Sequence, residues 1–368
     1  MEKALKVLVI SNYDDNYNAV RPEGEIFIGL KKAGVEVEVM TFGHAPFVAR
    51  FREAGIRVID FHPEKKFDRV AVRLIRDELV SGGHDILHLY NNPAIITGLQ
   101  AAWNLPVKVV TYRGYTGNIH WYDPTCYLTH LNPRVDKITC LADSIKELFQ
   151  SQPFFKKEKA VTVNKGHRLS WYEDVKAADL SEFNIPPNAI TASIVANARK
   201  MKGIPYLMEA TKLLPADAPI HFILVGRNMD EPEVLEILKT SPYKDRVHFP
   251  GFRRDVLEIV RACDFSILPS IFGEATPKGA LEAMFLGNPT IITSIPGNRG
   301  MAIDGETGLV VPPRDPAALA KAIEKLAFDA ELRKDMGQKG QKHIADFLSV
   351  ERSVREMKKV YEDLVGQP

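Results

Sequence analysis

Cysteine is scarce in this sequence of 368 residues, which has 3, at positions Cys126, Cys140 and Cys263. Their odd number and wide spacing exclude a disulfide framework and a zinc site, and they predict reduced thiols. An excess of charge of one sign is also lacking, since Lys+Arg total 48 and Asp+Glu total 47. Without a basic field to gather polyanions, nucleic acid is not an expected partner.

Long apolar runs and two cofactor motifs are absent as well. No run is long enough to span a membrane, and the opening MEKALKVLVIS turns polar too early for a signal peptide. We therefore expect a cytoplasmic protein. No Gly-x-Gly-x-x-Gly occurs, which argues against a nicotinamide dehydrogenase. No Asp-x-Asp occurs to hold magnesium, and we expect no bound metal and no cofactor.

The sequence does contain a repeated alternation of short apolar strands with helices. Such alternation predicts α/β domains with parallel sheets covered on both faces, and the length is sufficient for two cores. The prolines Pro186 and Pro187 follow a stretch of looser pattern and indicate a linker. We expect a first domain over 1–170, a linker over 171–190, a second domain over 191–347 and a terminal helix over 348–368.

The most informative stretch starts with a buried strand at Phe265–Leu268 and continues into a loop and a helix. Thr276 is the predicted N-cap of this helix, and Pro277 is its predicted first residue. The free amides of Lys278, Gly279 and Ala280 would then form a site that favours an anion.

Two carboxylates flank this helix start, Glu274 in the preceding loop and Glu282 one turn below Lys278. A carboxylate accepts two hydrogen bonds and suits the vicinal hydroxyls of a sugar or a ribose. The alternative is that Glu274 only favours the positive helix end, while Glu282 pairs with Lys278. Spacing alone leaves both interpretations open.

The order of motifs in this stretch resembles the donor-site signature of the retaining glycosyltransferases of family four. The matching features are Pro269-Ser270, Glu274, Glu282, Gly287-Asn288-Pro289 and Gly305-Glu306-Thr307-Gly308. The resemblance implies the GT-B fold, with two facing Rossmann-like domains and a deep cleft between them. It also implies that Glu274 holds the transferred sugar and Glu282 the nucleotide ribose. Ala275 stands where the family usually has glycine.

The same resemblance assigns further donor contacts in the second domain. Arg199 and Lys202 match the residues that hold the donor diphosphate, on a strand-to-helix turn that also contains Asn197. The backbone at Gly226-Arg227 and the ring of Phe252 lie where similar enzymes receive the nucleotide base. An exposed basic turn and a packed phenylalanine are the structural alternatives.

The first domain should bind the acceptor through the loop at 12–25, which contains Asn12 and Arg21, and through the residues after the strand at 107–112. Arg113 stands where similar enzymes often have a histidine beside the transferred sugar. A guanidinium suits a phosphate or carboxylate, so we predict a catalytic role for Arg113, with a structural ion pair as the alternative. His120 is the other candidate to supply an imidazole.

A row of arginines at helical spacing, Arg69, Arg73 and Arg76, follows Lys65 and Lys66. It is either ordinary solvated surface or a patch for anionic lipid or a phosphorylated acceptor, which would place the protein peripherally on the inner membrane face.

The sequence thus predicts a retaining, metal-independent glycosyltransferase that moves a sugar from a nucleotide diphosphate sugar to a hydroxyl. The acceptor would be a saccharide or a lipid-linked molecule in glycan or cell-envelope polysaccharide biosynthesis. The alternatives are an epimerase of nucleotide sugars with the same fold and a non-catalytic binding protein for nucleotide sugars.

Overall fold

A computed structural model describes residues 4–366 of the chain, so the ends of the expected first domain and terminal helix, residues 1–3 and 367–368, lie outside the described residues. The chain divides into two compact units. One unit comprises Met1–His167 together with Leu348–Pro368, and the other comprises Arg168–Phe347. Each unit is built on its own parallel sheet, as the alternating pattern predicted.

The first unit has a parallel sheet of 7 strands in the order β3-β2-β1-β4-β5-β6-β7. Its elements are β1 Lys6–Ile10, α1 Tyr17–Lys32, β2 Glu36–Thr41, α2 Val48–Glu53, β3 Arg57–Asp60, α3 Arg69–Gly82, β4 Ile86–Leu89, α4 Asn92–Ala101, β5 Lys108–Arg113, β6 Lys137–Cys140, α5 Asp143–Gln150 and β7 Ala160–Thr162. The strand order reverses between β1 and β4, which is where ligands of doubly wound sheets bind.

The second unit has a parallel sheet of 6 strands in the order β10-β9-β8-β11-β12-β13. Its elements are β8 Ile190–Val195, α6 Ile204–Thr211, β9 Ile220–Val225, α7 Pro232–Leu238, β10 Val247–Gly251, α8 Val256–Ala262, β11 Phe265–Leu268, α9 Lys278–Phe285, β12 Thr290–Thr293, β13 Leu309–Val311, α10 Pro316–Phe328 and α11 Ala330–Phe347. Here the order reverses between β8 and β11, whose side chains are mostly buried because helices cover both faces.

The last helix, α12 Val350–Val365, completes the first unit by packing against α1. Gly29 permits the close approach, since a Cβ there would lie 2.4 Å from Val354 Cγ2. Tyr361 enters the core of the first unit, and its hydroxyl lies 2.7 Å from His88 Nδ1. Burial of a residue this large contributes about 2 kcal/mol of hydrophobic stabilisation, so α12 is a structural part of this unit.

The loop expected over 12–25 is largely helical, because α1 begins at Tyr17. The Asn16 side chain accepts a hydrogen bond from the amide of Asn18 and caps the helix. Pro22 and Gly24 are ordinarily helix breakers, but both are buried here, and a Cβ on Gly24 would lie 2.2 Å from the ring of Phe47. Tertiary packing therefore overrides the local propensity.

The residues expected as a linker, 171–190, belong to the second unit. Their apolar side chains, Ala178, Leu180, Phe183 and Ile185, pack against a buried cluster that includes Ile223 and Ile259. Arg253 also donates to Glu182 at 2.9 Å. Proline and loose periodicity mark an irregular segment, but they do not reveal whether it packs on a domain.

Within the described residues, no helix combines the length and the apolar character that a membrane crossing requires.

Candidate functional site

The strand-order reversal of the second sheet brings the turn after β8 next to the start of α9. Gly279 makes this approach possible, since a Cβ there would lie 2.6 Å from the carbonyl oxygen of Val195 at the end of β8. Helix α9 begins at Lys278 with Pro277 as its N-cap and without a side-chain capping bond, so Thr276 is not the cap that the sequence predicted. The first amides of α9 are thus left without a side-chain acceptor.

A cavity of about 390 Å³ lies at this point. It brings together eight of the residues predicted for the donor, namely Asn197, Arg199, Lys202, Gly226, Phe252, Lys278, Gly279 and Glu282. Of the other predicted residues in this unit, Glu274 and Ala280 are buried, and Thr276 and Arg227 do not line the cavity. A run of cations beside a helix N-terminus gives the cavity the chemistry of an anion site.

Glu274 is held by two partners. Lys202 Nζ donates to Glu274 Oε1 at 2.6 Å, and Ser270 Oγ donates to the same oxygen at 2.6 Å. The backbone of Glu274 also lies against Gly297, where a Cβ would be 1.9 Å from the Glu274 carbonyl oxygen. The glutamate predicted for the sugar and the lysine predicted for the diphosphate are therefore direct neighbours.

Glu282 forms the ion pair that spacing allowed, with Lys278 Nζ 3.5 Å from Glu282 Oε1. Burial raises the pKa of the Glu282 carboxyl. The positive charge of Lys278 acts to lower this pKa, but it does not cancel the effect of burial. The carboxylate lines the cavity, so a hydrogen-bond donor placed there would find an acceptor that has little solvent around it. Pairing with Lys278 and contact with a ligand are compatible.

The turn after β9 forms another wall of the cavity. Gly226 has φ of +148°, and a Cβ there would lie 1.6 Å from the Ala196 carbonyl oxygen, so only glycine fits. The amide of Arg227 donates to Asn197 Oδ1 at 3.1 Å, which ties this turn to the turn after β8. The Arg227 guanidinium lies 5.1 Å from the centroid of the exposed Phe252 ring.

Arg253 also lines the cavity, although the sequence analysis did not single it out. Its guanidinium is occupied by Asp255, at 2.8 Å, and by Glu182. It anchors residues 171–190 at the rim of the site. The pair Arg253-Arg254 directly after Phe252 was the available signal.

Arg113 ends β5 in the first unit and is 4% exposed. Its Nε donates to the Tyr115 carbonyl at 3.1 Å, its Nη2 donates to the Gly117 carbonyl at 2.6 Å, and the guanidinium stacks on the Tyr115 ring. Burial lowers the pKa of Arg113. The predicted catalytic arginine thus holds its own loop, through carbonyls and not through the carboxylate that the structural alternative supposed.

The three residues predicted for the acceptor belong to three different segments of the first unit. Asn12 follows β1 and accepts a hydrogen bond from the amide of Asp14 at 2.8 Å. Arg21 lies within α1, with its guanidinium 5.8 Å from the Tyr17 ring centroid. His120 is exposed and stacks on Tyr122. Their roles stay predictions.

The sequence analysis missed a charge cluster near the carboxyl ends of the strands of the first sheet. Lys165 Nζ donates to Glu23 Oε2 at 2.6 Å, and Ser11 Oγ donates to Glu23 Oε1 at 2.5 Å. Burial alone would lower the pKa of Lys165, but Glu23 and Tyr112 raise it above its usual value. Since 142 positions separate Glu23 from Lys165, no local pattern could have revealed the pair.

The arginine row on α3 is not uniform. Arg76 donates to the carbonyls of Ala101, at 2.9 Å, and Trp103, at 2.8 Å, and so serves the end of α4. Arg69 and Arg73 are exposed.

The part of the chain that contains this site is similar to known proteins. The model of the family described as "Glycosyl transferases group 1" matches residues 175–343. Among curated proteins, the D-inositol 3-phosphate glycosyltransferase of Corynebacterium jeikeium is 31% identical over 194 residues, which are 50% of this chain and 46% of that protein. The lipopolysaccharide core biosynthesis glycosyltransferase LpsE of Rhizobium meliloti is 26% identical over 177 residues, 48% of this chain and 51% of that protein. The chain spans about half the length of the curated relatives it matches.

Solved structures are similar over the whole chain. A glycosyltransferase from Rickettsia africae superimposes with a TM-score of 0.80 at 17% identity and covers 100% of both chains. HepE from Anabaena in complex with UDP superimposes with a TM-score of 0.75 at 16% identity, over 98% of this chain and 100% of that chain. At such identities the likeness concerns the fold, which is the GT-B class that the sequence predicted.

Proposed function

We propose that the protein, whose residues 175–343 match the model of the group 1 glycosyl transferases, transfers a sugar from a nucleotide diphosphate sugar to a hydroxyl group, with retention of the anomeric configuration. The acceptor is a saccharide or a lipid-linked molecule in glycan or cell-envelope polysaccharide biosynthesis. Two relatives support this proposal, since one is named for lipopolysaccharide core biosynthesis and one for inositol phosphate glycosylation.

The observation that carries the proposal is the cavity between β8 and α9. Arg199, Lys202 and Lys278 line it together with the first turn of α9. When a glycosidic bond to a diphosphate breaks, negative charge grows on the leaving oxygen. Positive groups that are already in position stabilise that charge without reorganisation. HepE holds UDP and so supports a nucleotide diphosphate as the ligand of this cavity.

The proposed reaction needs no reactant other than the donor and the acceptor. The bond from the anomeric carbon to the diphosphate oxygen breaks, and a bond from the same carbon to the acceptor oxygen forms on the same face. The acceptor proton passes to the departing diphosphate, so no protein nucleophile is assigned. A metal is not required in this scheme, because cations of the protein carry the electrostatic role. We therefore expect full activity in the presence of a chelator.

The ion pair of Lys202 with Glu274 has a role in donor binding. A diphosphate beside Lys202 competes with Glu274 for the ammonium, and the carboxylate then becomes free to accept hydroxyl groups of the sugar. Ser270 keeps Glu274 in place during the exchange. Glu282 accepts the ribose hydroxyls at the other side of the cavity, where its partner Lys278 also faces the phosphate.

The first unit supplies the acceptor site in this proposal. Arg113 positions the loop at 114–118, while Asn12, Arg21 and His120 stay candidates for acceptor contacts. We place the protein in the cytoplasm, with peripheral contact to the inner face of the membrane.

The test is a transfer assay with a panel of nucleotide sugars that includes UDP-glucose. Nucleotide release that depends on a hydroxyl acceptor, with a product whose anomeric configuration by NMR matches the donor, is the expected result. Conversion of the nucleotide sugar into an isomer without acceptor would identify an epimerase instead. Nucleotide binding without any turnover over the panel and a range of acceptors would leave a binding protein.

A further inference from the structure

Two neighbouring loops of the first unit expose large aromatic side chains. Residues 118–129 present Trp121, Tyr122, Tyr127 and Leu128, and the loop after α5 presents Phe154. Phe154 is 95% exposed and Tyr122 is 67% exposed. We call these five residues the aromatic surface. Soluble proteins expose apolar residues singly, whereas a contiguous group marks a binding surface.

Direct contacts join four of the five residues through Trp121. The rings of Trp121 and Phe154 meet edge to face, with centroids 6.3 Å apart, and the rings of Trp121 and Tyr122 meet at 5.9 Å. The Trp121 amide donates to Gln152 Oε1 at 3.1 Å, and the Tyr127 hydroxyl donates to the Trp121 carbonyl at 2.8 Å. The two loops are therefore held together by contacts within the unit itself.

The exposure of Phe154 has no explanation in the packing of this unit. Its φ is +64°, a conformation that bulky residues adopt rarely and at a cost. Its neighbour Phe155 turns inward and lies against Phe149, with ring centroids 5.6 Å apart. The chain thus directs one phenylalanine into the core and keeps the next one outside.

The two loops that form the surface carry a small excess of positive charge. Lys156 and Lys157 follow Phe155 directly and are exposed. Over residues 118–129 and 151–159 the lysines are Lys156, Lys157 and Lys159 and the acids are Asp123 and Glu158, so three positive charges face two negative ones and the excess is one. Asp123 accepts from the amide and the hydroxyl of Thr125, both at 2.8 Å, and keeps its negative charge.

We propose that the aromatic surface docks on the interfacial region of an anionic lipid bilayer. Tryptophan and tyrosine favour the headgroup level, where an apolar ring and a polar edge are both satisfied. Phe154 is the apolar tip that enters the acyl boundary, and the adjacent lysines are attracted to anionic headgroups. The surface specifies the membrane contact proposed above, and its test does not depend on transfer activity.

The test is sedimentation of the full chain with vesicles of phosphatidylcholine containing phosphatidylglycerol, compared with vesicles of phosphatidylcholine alone. We expect binding to the anionic vesicles, and at least a tenfold loss of the partition coefficient in a Trp121→Ser/Phe154→Ser variant. Trp103→Ser is the matched control, since Trp103 is 61% exposed but lies outside the surface. Absence of binding by the unaltered chain overturns the proposal.

A second arm separates this surface from α3. Arg69→Ala/Arg73→Ala should retain most of the binding, and loss of binding there with retention in the Trp121→Ser/Phe154→Ser variant overturns the proposal.

Fluorescence gives a readout that does not rest on loss of binding. In Trp103→Phe/Trp171→Phe, Trp121 is the remaining tryptophan of the 3 in the sequence. Brominated phosphatidylcholine in the anionic vesicles should quench it. An unquenched Trp121 in vesicle-bound protein, or protection of Trp121 by a soluble oligosaccharide in the absence of vesicle binding, contradicts membrane docking.

Discussion

The two sheets carry a similar group of three residues near the carboxyl ends of their strands. In the second unit Ser270 and Lys202 both donate to Glu274, and in the first unit Ser11 and Lys165 both donate to Glu23. The ammonium-to-carboxylate distance is 2.6 Å in both. What differs is the surroundings, because Lys202 lines an open cavity beside a helix N-terminus, whereas Lys165 lies 4.2 Å from the Tyr112 ring centroid.

The comparison shows that a lysine–glutamate ion pair with a serine donor does not by itself indicate a functional site. Next to free amides and further cations, the lysine can exchange its carboxylate for a phosphate. Beneath aromatic rings the same pair instead fixes α1 to the end of the sheet, since Glu23 belongs to α1.

The largest expected effect is in the second unit. Lys202→Ala should lower the transfer rate by about 10² to 10³, because one preorganised cation is lost from the leaving diphosphate. Steady-state kinetics with a saturating donor measures it. Lys200→Ala, in the same turn but not lining that cavity, is the control. Equal effects of the two substitutions would show that Lys202 has no special position.

The equivalent change in the first unit should act on stability. Lys165→Ala leaves the Glu23 carboxylate buried without its cation and should lower the free energy of unfolding by about 3 kcal/mol. Urea unfolding followed by circular dichroism measures this loss, and Lys157→Ala should change the curve little because Lys157 is exposed. A variant that is fully stable but inactive would show that Lys165 has a functional role and not a structural one.

Arg113 tests whether a buried arginine of the first unit contributes to the reaction. Arg113→Ala should reduce transfer by about 10², since a displaced loop misaligns the acceptor, and nucleotide affinity should stay within about threefold. Arg113→Lys keeps the charge but cannot reach two carbonyls with one planar group, so it should restore little. Unchanged turnover in Arg113→Ala would remove this residue from the site.

The smallest effect concerns Glu282. Glu282→Ala should weaken binding of the bare nucleotide about tenfold, measured by calorimetry, because hydrogen bonds to the ribose are lost. No change in affinity would argue against ribose contact.

The pH dependence of the same binding gives a sharper test. Burial raises the pKa of Glu282, so this carboxylate takes up a proton at a higher pH than an exposed glutamate does. Nucleotide affinity should therefore fall as the pH decreases through that raised pKa, and Glu282→Gln should flatten the profile. For stability the sign is opposite, because a carboxyl whose pKa is raised on folding favours the folded state below its unfolded pKa, and this contribution is lost as the pH rises through the folded pKa.

The grouping of the residues predicted for the donor could be anticipated from sequence because their signals are local, while their roles stay predictions. A strand end, a turn and a helix start follow one another from Phe265 to Phe285, and eight of the predicted residues meet in one cavity. The prediction of a loop over 12–25 was wrong, because Pro22 and Gly24 argue against a helix while their burial depends on Phe47 and other distant residues. The pairing of Glu23 with Lys165 and the packing of residues 171–190 are likewise set by long-range contacts.

Because α12 supplies part of the core of the first unit, synthesis on the ribosome imposes an order on folding. Residues 168–347 emerge as an uninterrupted segment and can close their core as soon as they leave the exit tunnel, whereas residues up to His167 wait for the last helix. In the interval, the apolar groove that receives Tyr361 is open to chaperones or to a neighbouring nascent chain. A premature stop codon before position 350 would thus damage the half of the protein that was translated first.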